Sequence, residues 1–258
     1  MAVEGGVKEG LLDELIIYTV VDNEVYRNGF RSDWGLSFYI EARKEGEVKR
    51  LLMDVSGSSE AFFWNTKMLG LNLETVGSVF ISHWHWDHAG ILIDVLKAIG
   101  RPVNVYAPCR NEEVERELEG TGSSLIICDK PIKIFEGAYS SGKLKGVIDE
   151  HALILHLRDK GLVILVGCTH PGIENVVERS MKVTGVNKVF AVIGGLHLST
   201  KEEGEEVGQY LMEKGVRFVS PIHCTDASAR RAIEKVLGSE RILRGGSGRV
   251  LRIGKDVG

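Results

Sequence analysis

Short apolar runs alternate with amphipathic segments along almost the whole chain of 258 residues. The apolar runs are rich in Val, Ile and Leu and are bounded by turn-forming residues, which is typical of strands. They predict eleven strands, at residues 15–21, 36–41, 49–55, 76–82, 103–107, 125–128, 152–158, 162–167, 188–193, 217–221 and 249–253. Because this is more than one sheet usually holds, we expect two sheets.

Helical spacing of apolar residues predicts six helices, at residues 59–68, 89–99, 112–118, 173–184, 201–214 and 227–237. Thr200 and Glu203 have the spacing of a capping box at the start of the fifth helix. The segment from Arg158 to Gly161 predicts a tight hairpin, so at least one sheet is partly antiparallel. The sequence shows no repeat or linker, which favours a single domain over residues 1–258, with two sheets sandwiched between helices.

Charge and composition exclude several classes of partner. The formal net charge is -4, so long-range attraction to nucleic acid or anionic lipid is not supported, and we expect neither nucleic acid nor a membrane as partner. The apolar run at 15–21 is far shorter than the roughly 20 residues of a membrane span, and residues 1–10 hold no apolar run of a signal peptide. We therefore expect a cytoplasmic protein. The four cysteines form no Cys-x-x-Cys pair, so neither a disulfide framework nor a zinc ribbon is indicated.

Residues 83–88 read His-Trp-His-Trp-Asp-His and hold three of the eight histidines of the chain. Imidazole suits zinc or iron, and a neighbouring carboxylate favours a divalent first-row ion. The run lies between a predicted strand and a predicted helix. In extended backbone His83 and His85 project to the same side and can bind one ion, while Asp87 and His88 at the helix entrance can bind a second. The sequence therefore predicts a metal site.

Two ions need more ligands than this run offers, because each zinc takes about four partners including water. Three further histidines follow predicted strands and precede predicted helices, namely His170, His197 and His223. Residues in such equivalent positions can converge on one edge of the fold. We therefore expect the remaining ligands among these three.

A strand that ends in His-x-His-x-Asp-His, followed by single histidines at later strand ends, resembles the metallo-β-lactamase superfamily. The resemblance implies a fold of the α/β (α+β) class, the αββα four-layer sandwich of two mixed β-sheets flanked by helices. It also implies a dinuclear centre along one edge. In that pattern His83 and His85 bind the first ion together with a later histidine.

In the same pattern Asp87, His88 and the histidine of the last loop bind the second ion. We assign the two later ligands to His170 and His223. The resemblance gives Asp54 the role of orienting a ligating imidazole without binding metal, and the alternative is a turn cap.

Two departures from the superfamily pattern reduce the number of branches to which this chain can be similar. Cys168 stands where enzymes of the glyoxalase II type have a bridging aspartate. Either Cys168 replaces that bridge, or water or hydroxide bridges alone and Cys168 is a plain buried thiol. The oxygen-reducing di-iron branch has glutamate where this chain has His85, and no residues remain for its flavin domain. Two divalent ions are therefore expected, zinc before magnesium or manganese.

Five short segments resemble one subfamily more closely, at residues 20–23, 34–37, 167–175, 194–198 and 221–225. This subfamily contains the archaeal dihydropterin-methyl ribofuranosylaminobenzene 5'-phosphate synthases of methanopterin biosynthesis, as well as many proteins described only as metal-dependent hydrolases.

The resemblance implies a small phosphorylated substrate and leaves three functions open. The first is a transferase that joins a dihydropterin-methyl diphosphate to a ribofuranosylaminobenzene phosphate and releases diphosphate. In it Asp87 and His197 are the predicted catalytic residues, and Asp22, Asn23 and His197 contact the substrate. The second is a hydrolase of an ester, lactone or phosphoester. The third is a non-catalytic metal-binding module. The oligomeric state is left open.

Overall fold

The computed structural model describes residues 11–254, so the expectation that residues 1–10 hold no signal peptide lies outside the described residues. Within that range thirteen strands and seven α-helices form, and none of these helices is long and apolar enough to cross a membrane. The chain divides into two compact units. The N-terminal unit comprises Asp13–Asp129 with residues 246–254, and the C-terminal unit comprises Lys130–Gly245 with residues 11 and 12. The single domain over residues 1–258 stays a prediction.

The N-terminal unit contains a mixed sheet of seven strands in the order β13-β1-β2-β3-β4-β5-β6. Numbered along the chain, these strands are β1 Glu14–Val21, β2 Ser37–Lys44, β3 Glu47–Met53, β4 Ser78–Phe80, β5 Asn104–Ala107, β6 Ser124–Ile127 and β13 Val250–Gly254. The pairs from β13 to β3 are antiparallel, and those from β3 to β6 are parallel.

The C-terminal unit contains a second mixed sheet, in the order β12-β11-β10-β9-β8-β7. Its strands are β7 Ile132–Phe135, β8 Ala138–Ser140, β9 Leu153–Leu157, β10 Gly161–Val166, β11 Val189–Gly195 and β12 Phe218–Ile222. β10, β11 and β12 run parallel, and the remaining pairs are antiparallel. The predicted hairpin joins β9 to β10, with Asp159 in the left-handed region at φ 60°. The two mixed sheets of the prediction are thus confirmed.

Three helices belong to the N-terminal unit besides one single-turn helix, and three to the C-terminal unit. They are α1 Ser59–Met68, α2 Trp86–Ala89, α3 Leu92–Ile99, α4 Glu112–Glu119, α5 Ile173–Thr184, α6 Lys201–Glu213 and α7 Ala227–Leu237. α2 is the single turn. α6 begins with the predicted capping box: Thr200 Oγ1 accepts a hydrogen bond from Glu203 N, and the Glu203 carboxylate accepts one from Thr200 N.

The prediction of one helix at residues 89–99 is wrong in its bounds. The structure has two helices there, and the first begins before residue 89. α2 already begins at Trp86, and Ile91 leaves helical geometry at φ -109° and ψ 21°. Its amide bonds to Ser56 O instead of continuing the helix. All eleven predicted strands are present. The two short strands β7 and β8 were missed.

Each unit has its own apolar core between its sheet and its helices. In the N-terminal unit Leu52 and Val79 of the sheet belong to one buried cluster with Phe62 of α1 and Leu96 of α3. In the C-terminal unit Ile164 of β10 belongs to a second cluster that includes residues of α5, α6 and α7. Burial of one such side chain stabilises the fold by roughly 1.5–3 kcal/mol. The cores thus hold fixed the carboxyl ends of the parallel strands, where the candidate ligands lie.

Candidate metal centre

The predicted ligand run begins three residues after the end of β4 and ends inside α2. His83 and His85 lie in extended or turn backbone before the helix, and His85 occupies its N-cap position at φ -72° and ψ 147°. Asp87 and His88 are on α2 itself, so they lie on a helical turn rather than in the predicted loop before a helix. The turn of α2 brings Asp87 and His88 onto the same side, with Oδ2 of the first 3.7 Å from Nε2 of the second.

Asp54 anchors this run. Its side chain is fully buried, and its backbone is in the left-handed region at φ 56° just after β3. Oδ1 accepts a hydrogen bond from Ser82 N at 2.7 Å, and Oδ2 accepts one from Ser82 Oγ at 2.8 Å and one from His88 Nδ1 at 2.7 Å. The carboxylate thereby fixes both the end of the strand segment and the ring of a candidate ligand.

These contacts determine which nitrogen of each ring carries its proton. A carboxylate only accepts, so His88 Nδ1 is protonated and Nε2 keeps its lone pair. Ser82 Oγ donates to Asp54, so it accepts from His83 Nδ1 at 2.9 Å, which leaves the lone pair of His83 on Nε2. That Nε2 lies 3.1 Å from His85 Nδ1. The Nε2 atoms of His83 and His88 therefore face other candidate ligand atoms, which is the arrangement that a metal ion requires.

The backbone of the segment at 34–37 packs against the ligand run at residues 83–88. Leu36 N donates to Asp87 O at 3.1 Å, and a Cβ at Gly35 would lie only 2.8 Å from the same carbonyl oxygen. A Cβ at Gly57 would lie 2.2 Å from the ring of Trp86, whose side chain is 61 % exposed. Only glycine allows these segments to approach α2 so closely. Trp84, in contrast, packs against the N-terminal core and donates its indole N–H to Cys109 O at 2.8 Å.

In the C-terminal unit the corresponding anchor is Glu150, which sequence analysis missed. Its carboxylate is 2 % exposed and accepts four hydrogen bonds: from Cys168 N at 2.8 Å, from Thr169 N at 3.0 Å, and from both His170 N and His170 Nδ1 at 3.0 Å. His170 Nδ1 therefore carries a proton, which makes Nε2 the ring atom suited to bind metal. No motif marks Glu150, since it precedes its partners by some 20 residues.

The other strand ends of this unit gather around the same place. Donor atoms of Cys168, His170 and His197 lie within 4.8 Å of one another, and so do those of Cys168, His223 and Cys224. His197 and His223 both adopt left-handed backbone, at φ 49° and 52°. Such conformations are uncommon outside glycine and concentrate at functional sites.

Thr225 ties two of these loops together, because its Oγ1 accepts a hydrogen bond from Leu196 N at 2.9 Å. The side chains of Cys168 and His197 hydrogen-bond to the thiol of Cys224 and lower its pKa to about 5, against the opposing effect of burial. The hydrogen bond with Cys224 in turn raises the pKa of His197. The sulfur of Cys224 is thus part of the cluster, and sequence analysis gave it no role.

Asp22 and Asn23, the predicted substrate contacts, brace a loop of the N-terminal unit. Asp22 is 1 % exposed, and its amide donates to Ser247 Oγ at 2.9 Å. The side-chain oxygen of Asn23 accepts from Gly35 N at 3.1 Å, next to the segment that contacts Asp87. These contacts give both residues a structural role beside the predicted one.

The residues present fit divalent metal ions. In three imidazoles Nδ1 donates a hydrogen bond to a buried oxygen acceptor, so that Nε2 is the ring atom suited to bind metal. These imidazoles belong to His83, His88 and His170. Neutral imidazoles oriented by carboxylates are the usual form of histidine ligands. Each unit therefore presents a set of candidate ligands.

Solved structures of similar shape decide the fold. A crystal structure of a metal-dependent hydrolase of the β-lactamase superfamily superposes with a TM-score of 0.75, at 23% identity, over 93% of this chain and 100% of the other. The metallo-β-lactamase fold protein YhfI of Bacillus subtilis gives a TM-score of 0.64 at 14% identity over 93% of this chain and 100% of the other.

This chain has the metallo-β-lactamase fold.

Sequence comparison adds a relative within the predicted subfamily. The 7,8-dihydropterin-6-methyl-4-(β-D-ribofuranosyl)-aminobenzene-5'-phosphate synthase of Methanocaldococcus jannaschii is 29% identical over 267 residues, which cover 85% of this chain and 90% of the relative. An uncharacterised protein of the same archaeon is 26% identical, over 92% of this chain and 100% of its own length. No family model matches.

These similarities confirm the predicted resemblance to the metallo-β-lactamase superfamily, and the named sequence relative is an enzyme, in agreement with the prediction of an enzyme.

Proposed function

We propose that this metallo-β-lactamase-fold enzyme joins a dihydropterin-methyl diphosphate to a ribofuranosylaminobenzene phosphate and releases diphosphate. The observation that carries the proposal is the similarity to a pterin synthase over 85% of the chain. The five segments that resemble the synthase subfamily support it, because two of them, at 167–175 and 221–225, supply the candidate ligands His170 and His223. The substrate would be a small phosphorylated molecule, and the cytoplasm stays the expected location.

We propose the metal ligands from the family pattern and from the geometry inside each unit. His83, His85 and His170 would hold one ion, and Asp87, His88 and His223 a second. Zinc is the proposed metal, with magnesium and manganese as the alternatives to test. Bound in such a centre, two divalent ions would neutralise the charge that develops on a departing diphosphate.

The remaining residues have proposed roles that follow from their contacts. Asp54 and Glu150 orient imidazoles without binding metal, because their oxygens are already occupied by hydrogen-bond donors. His197 is exposed, and its ring centroid lies 4.6 Å from that of His170, so we propose that it contacts the substrate or moves a proton. Asp22 and Asn23 remain the proposed contacts to the polar edge of the pterin.

The test is an assay of diphosphate release with the purified, zinc-loaded protein. We expect release only when the pterin diphosphate and the arylamine are both present, and none from the Asp87→Ala variant. Release from the diphosphate alone would make the protein a hydrolase instead. No turnover under any condition, with metal fully bound, would favour the non-catalytic module and reject the transferase.

A further inference from the structure

Two thiols lie together at the ends of different strands in the C-terminal unit. Cys168 follows β10, and Cys224 follows β12. Their sulfur atoms and a ring nitrogen of His223 all lie within 4.8 Å of one another. The sulfur of Cys224 is also 3.8 Å from the carbonyl oxygen of Cys168. This places two soft donors beside a candidate metal ligand.

The backbone leaves room for one of these sulfur atoms. A Cβ at Gly195 would lie 2.5 Å from Cys224 Sγ and 2.5 Å from Gly167 O, closer than Cβ atoms approach other heavy atoms. Gly195 needs no left-handed backbone, so space rather than conformation accounts for glycine here. Any side chain at this position would push the thiol away from Cys168 and His223.

We infer that Cys168 and Cys224 are metal ligands, which give the ion bound by His223 a sulfur-containing coordination shell. The inference rests on the proposed function in so far as His223 holds a metal ion. It goes beyond it by assigning two thiols as ligands, which gives a reason for zinc over magnesium and manganese. Thiolates bind zinc, cobalt and cadmium well and magnesium and manganese poorly.

The donor sets of the two units differ in a way that supports this. The N-terminal set offers imidazole nitrogens and the carboxylate of Asp87, whereas the C-terminal set adds two thiols to its imidazoles. A centre with only nitrogen and oxygen donors accepts several divalent ions. Sulfur in one shell would restrict that ion to the borderline and soft metals.

Cobalt substitution tests the assignment directly. The full-length protein is stripped of metal, loaded with Co²⁺ under reducing conditions and examined by absorption spectroscopy. Thiolate ligands produce an intense sulfur-to-cobalt charge-transfer band in the near ultraviolet. We expect this band in the parent protein, a weaker band in Cys168→Ser and in Cys224→Ser, and none in the double variant.

Cys109→Ser is the matched control, because Cys109 is a partly buried thiol of the N-terminal unit. Its band should equal that of the parent protein. Circular dichroism of each variant checks that the fold is intact. The charge-transfer band of the parent protein tests the assignment even if a variant fails to fold. As a second measurement, the preference of the parent protein for Zn²⁺ over Mn²⁺ should fall at least about tenfold in the double variant.

The possible failures are distinguishable. Visible cobalt bands without a charge-transfer band would show a bound ion with nitrogen and oxygen ligands only, which overturns the thiol assignment and leaves the proposed centre standing. Absence of bound cobalt would overturn the proposed centre itself. Two thiols that resist alkylation in the unfolded, unreduced protein and react after reduction, with no charge-transfer band in the reduced protein, would mean a disulfide pair instead of ligands.

Discussion

The N-terminal unit carries its candidate ligands within residues 83–88, whereas the C-terminal unit carries them at the ends of three separate strands. Each set has one buried carboxylate as its anchor. Asp54 accepts hydrogen bonds from one amide and two side chains, and Glu150 accepts them from three amides and one side chain. The first anchor therefore holds the ligands themselves, and the second mainly holds the loop that carries them.

This difference predicts different consequences when the two sets are damaged. Loss of Asp54 removes the hydrogen-bond acceptor of the His88 ring and of the Ser82 hydroxyl but leaves α2 otherwise intact. Loss of Glu150 leaves three consecutive amides of one loop without their acceptor. Both losses should weaken metal binding, but loss of Glu150 should also disturb the backbone between β10 and α5.

The largest effect is expected from removal of a ligand. In Asp87→Ala the carboxylate beside His88 Nε2 is gone, so metal affinity should fall by more than the about 10–100-fold that loss of an outer partner costs. His85→Ala should behave alike. The fold should persist, because these side chains add little to the core. Metal analysis after dialysis and thermal unfolding measure both quantities.

Asp94→Ala is the control for this experiment, since Asp94 is an exposed aspartate on α3 of the same unit. It should keep the metal content of the parent protein. Unchanged metal stoichiometry in both Asp87→Ala and His85→Ala would reject residues 83–88 as the metal site.

The next largest effect is expected from Asp54→Ala. Three donors lose their acceptor, and each unsatisfied buried donor costs about 1–3 kcal/mol, so the free energy of unfolding should fall by several kcal/mol. Zinc affinity should fall about 10–100-fold, because the rings of His83 and His88 lose their orientation. Urea unfolding of the metal-free protein and competition with a zinc chelator measure the two effects.

Asp33→Ala serves as the comparison, because Asp33 is an exposed aspartate whose carboxylate accepts a hydrogen bond from Trp34 N. It should change neither quantity by much. If Asp54→Ala unfolds at the same urea concentration as the parent protein, Asp54 is not the anchor of this set.

A smaller and more local effect is expected from Glu150→Gln. The amide oxygen can still accept from Cys168 N and Thr169 N, but its NH₂ group would face the two N–H donors of His170. Zinc affinity should fall about tenfold, near the low end for an outer partner. Metal titration followed by calorimetry gives the affinity.

Glu203→Gln is matched to it, because Glu203 also accepts from two backbone amides of the same unit but lies on the surface. It should leave zinc affinity unchanged. An equal loss of affinity in both variants would mean that Glu150 does not act through His170.

The contrast between the two units also explains what the sequence could predict. Asp54, His83, His85, Asp87 and His88 lie in or next to strands with clear apolar patterns, so both their identity and their strand-end positions were accessible. The interruption of the helix at Ile91 was not, because it depends on a hydrogen bond to Ser56 O from a distant segment.

Glu150 and Cys224 were missed for a related reason. Glu150 reaches Cys168, Thr169 and His170 only after β9 and β10 have paired, and no local pattern records that pairing. Cys224 lies one residue from a predicted ligand, but its contact with Cys168 arises from the alignment of β10, β11 and β12. Contacts made by tertiary pairing leave no periodic signal in the sequence.

The smallest effect is expected from removing a helix cap in each unit. Thr200→Ala removes the hydroxyl that accepts from Glu203 N, and Asn111→Ala removes the oxygen that accepts from Glu113 N and Val114 N at the start of α4. Each should lower the free energy of unfolding by about 1 kcal/mol, measured in urea. Metal content should stay that of the parent protein, since neither cap contacts a candidate ligand. Because Thr200 is three residues from His197, loss of metal in Thr200→Ala alone would show that the α6 cap positions this loop, and the C-terminal set would then depend on its helices as well as on Glu150.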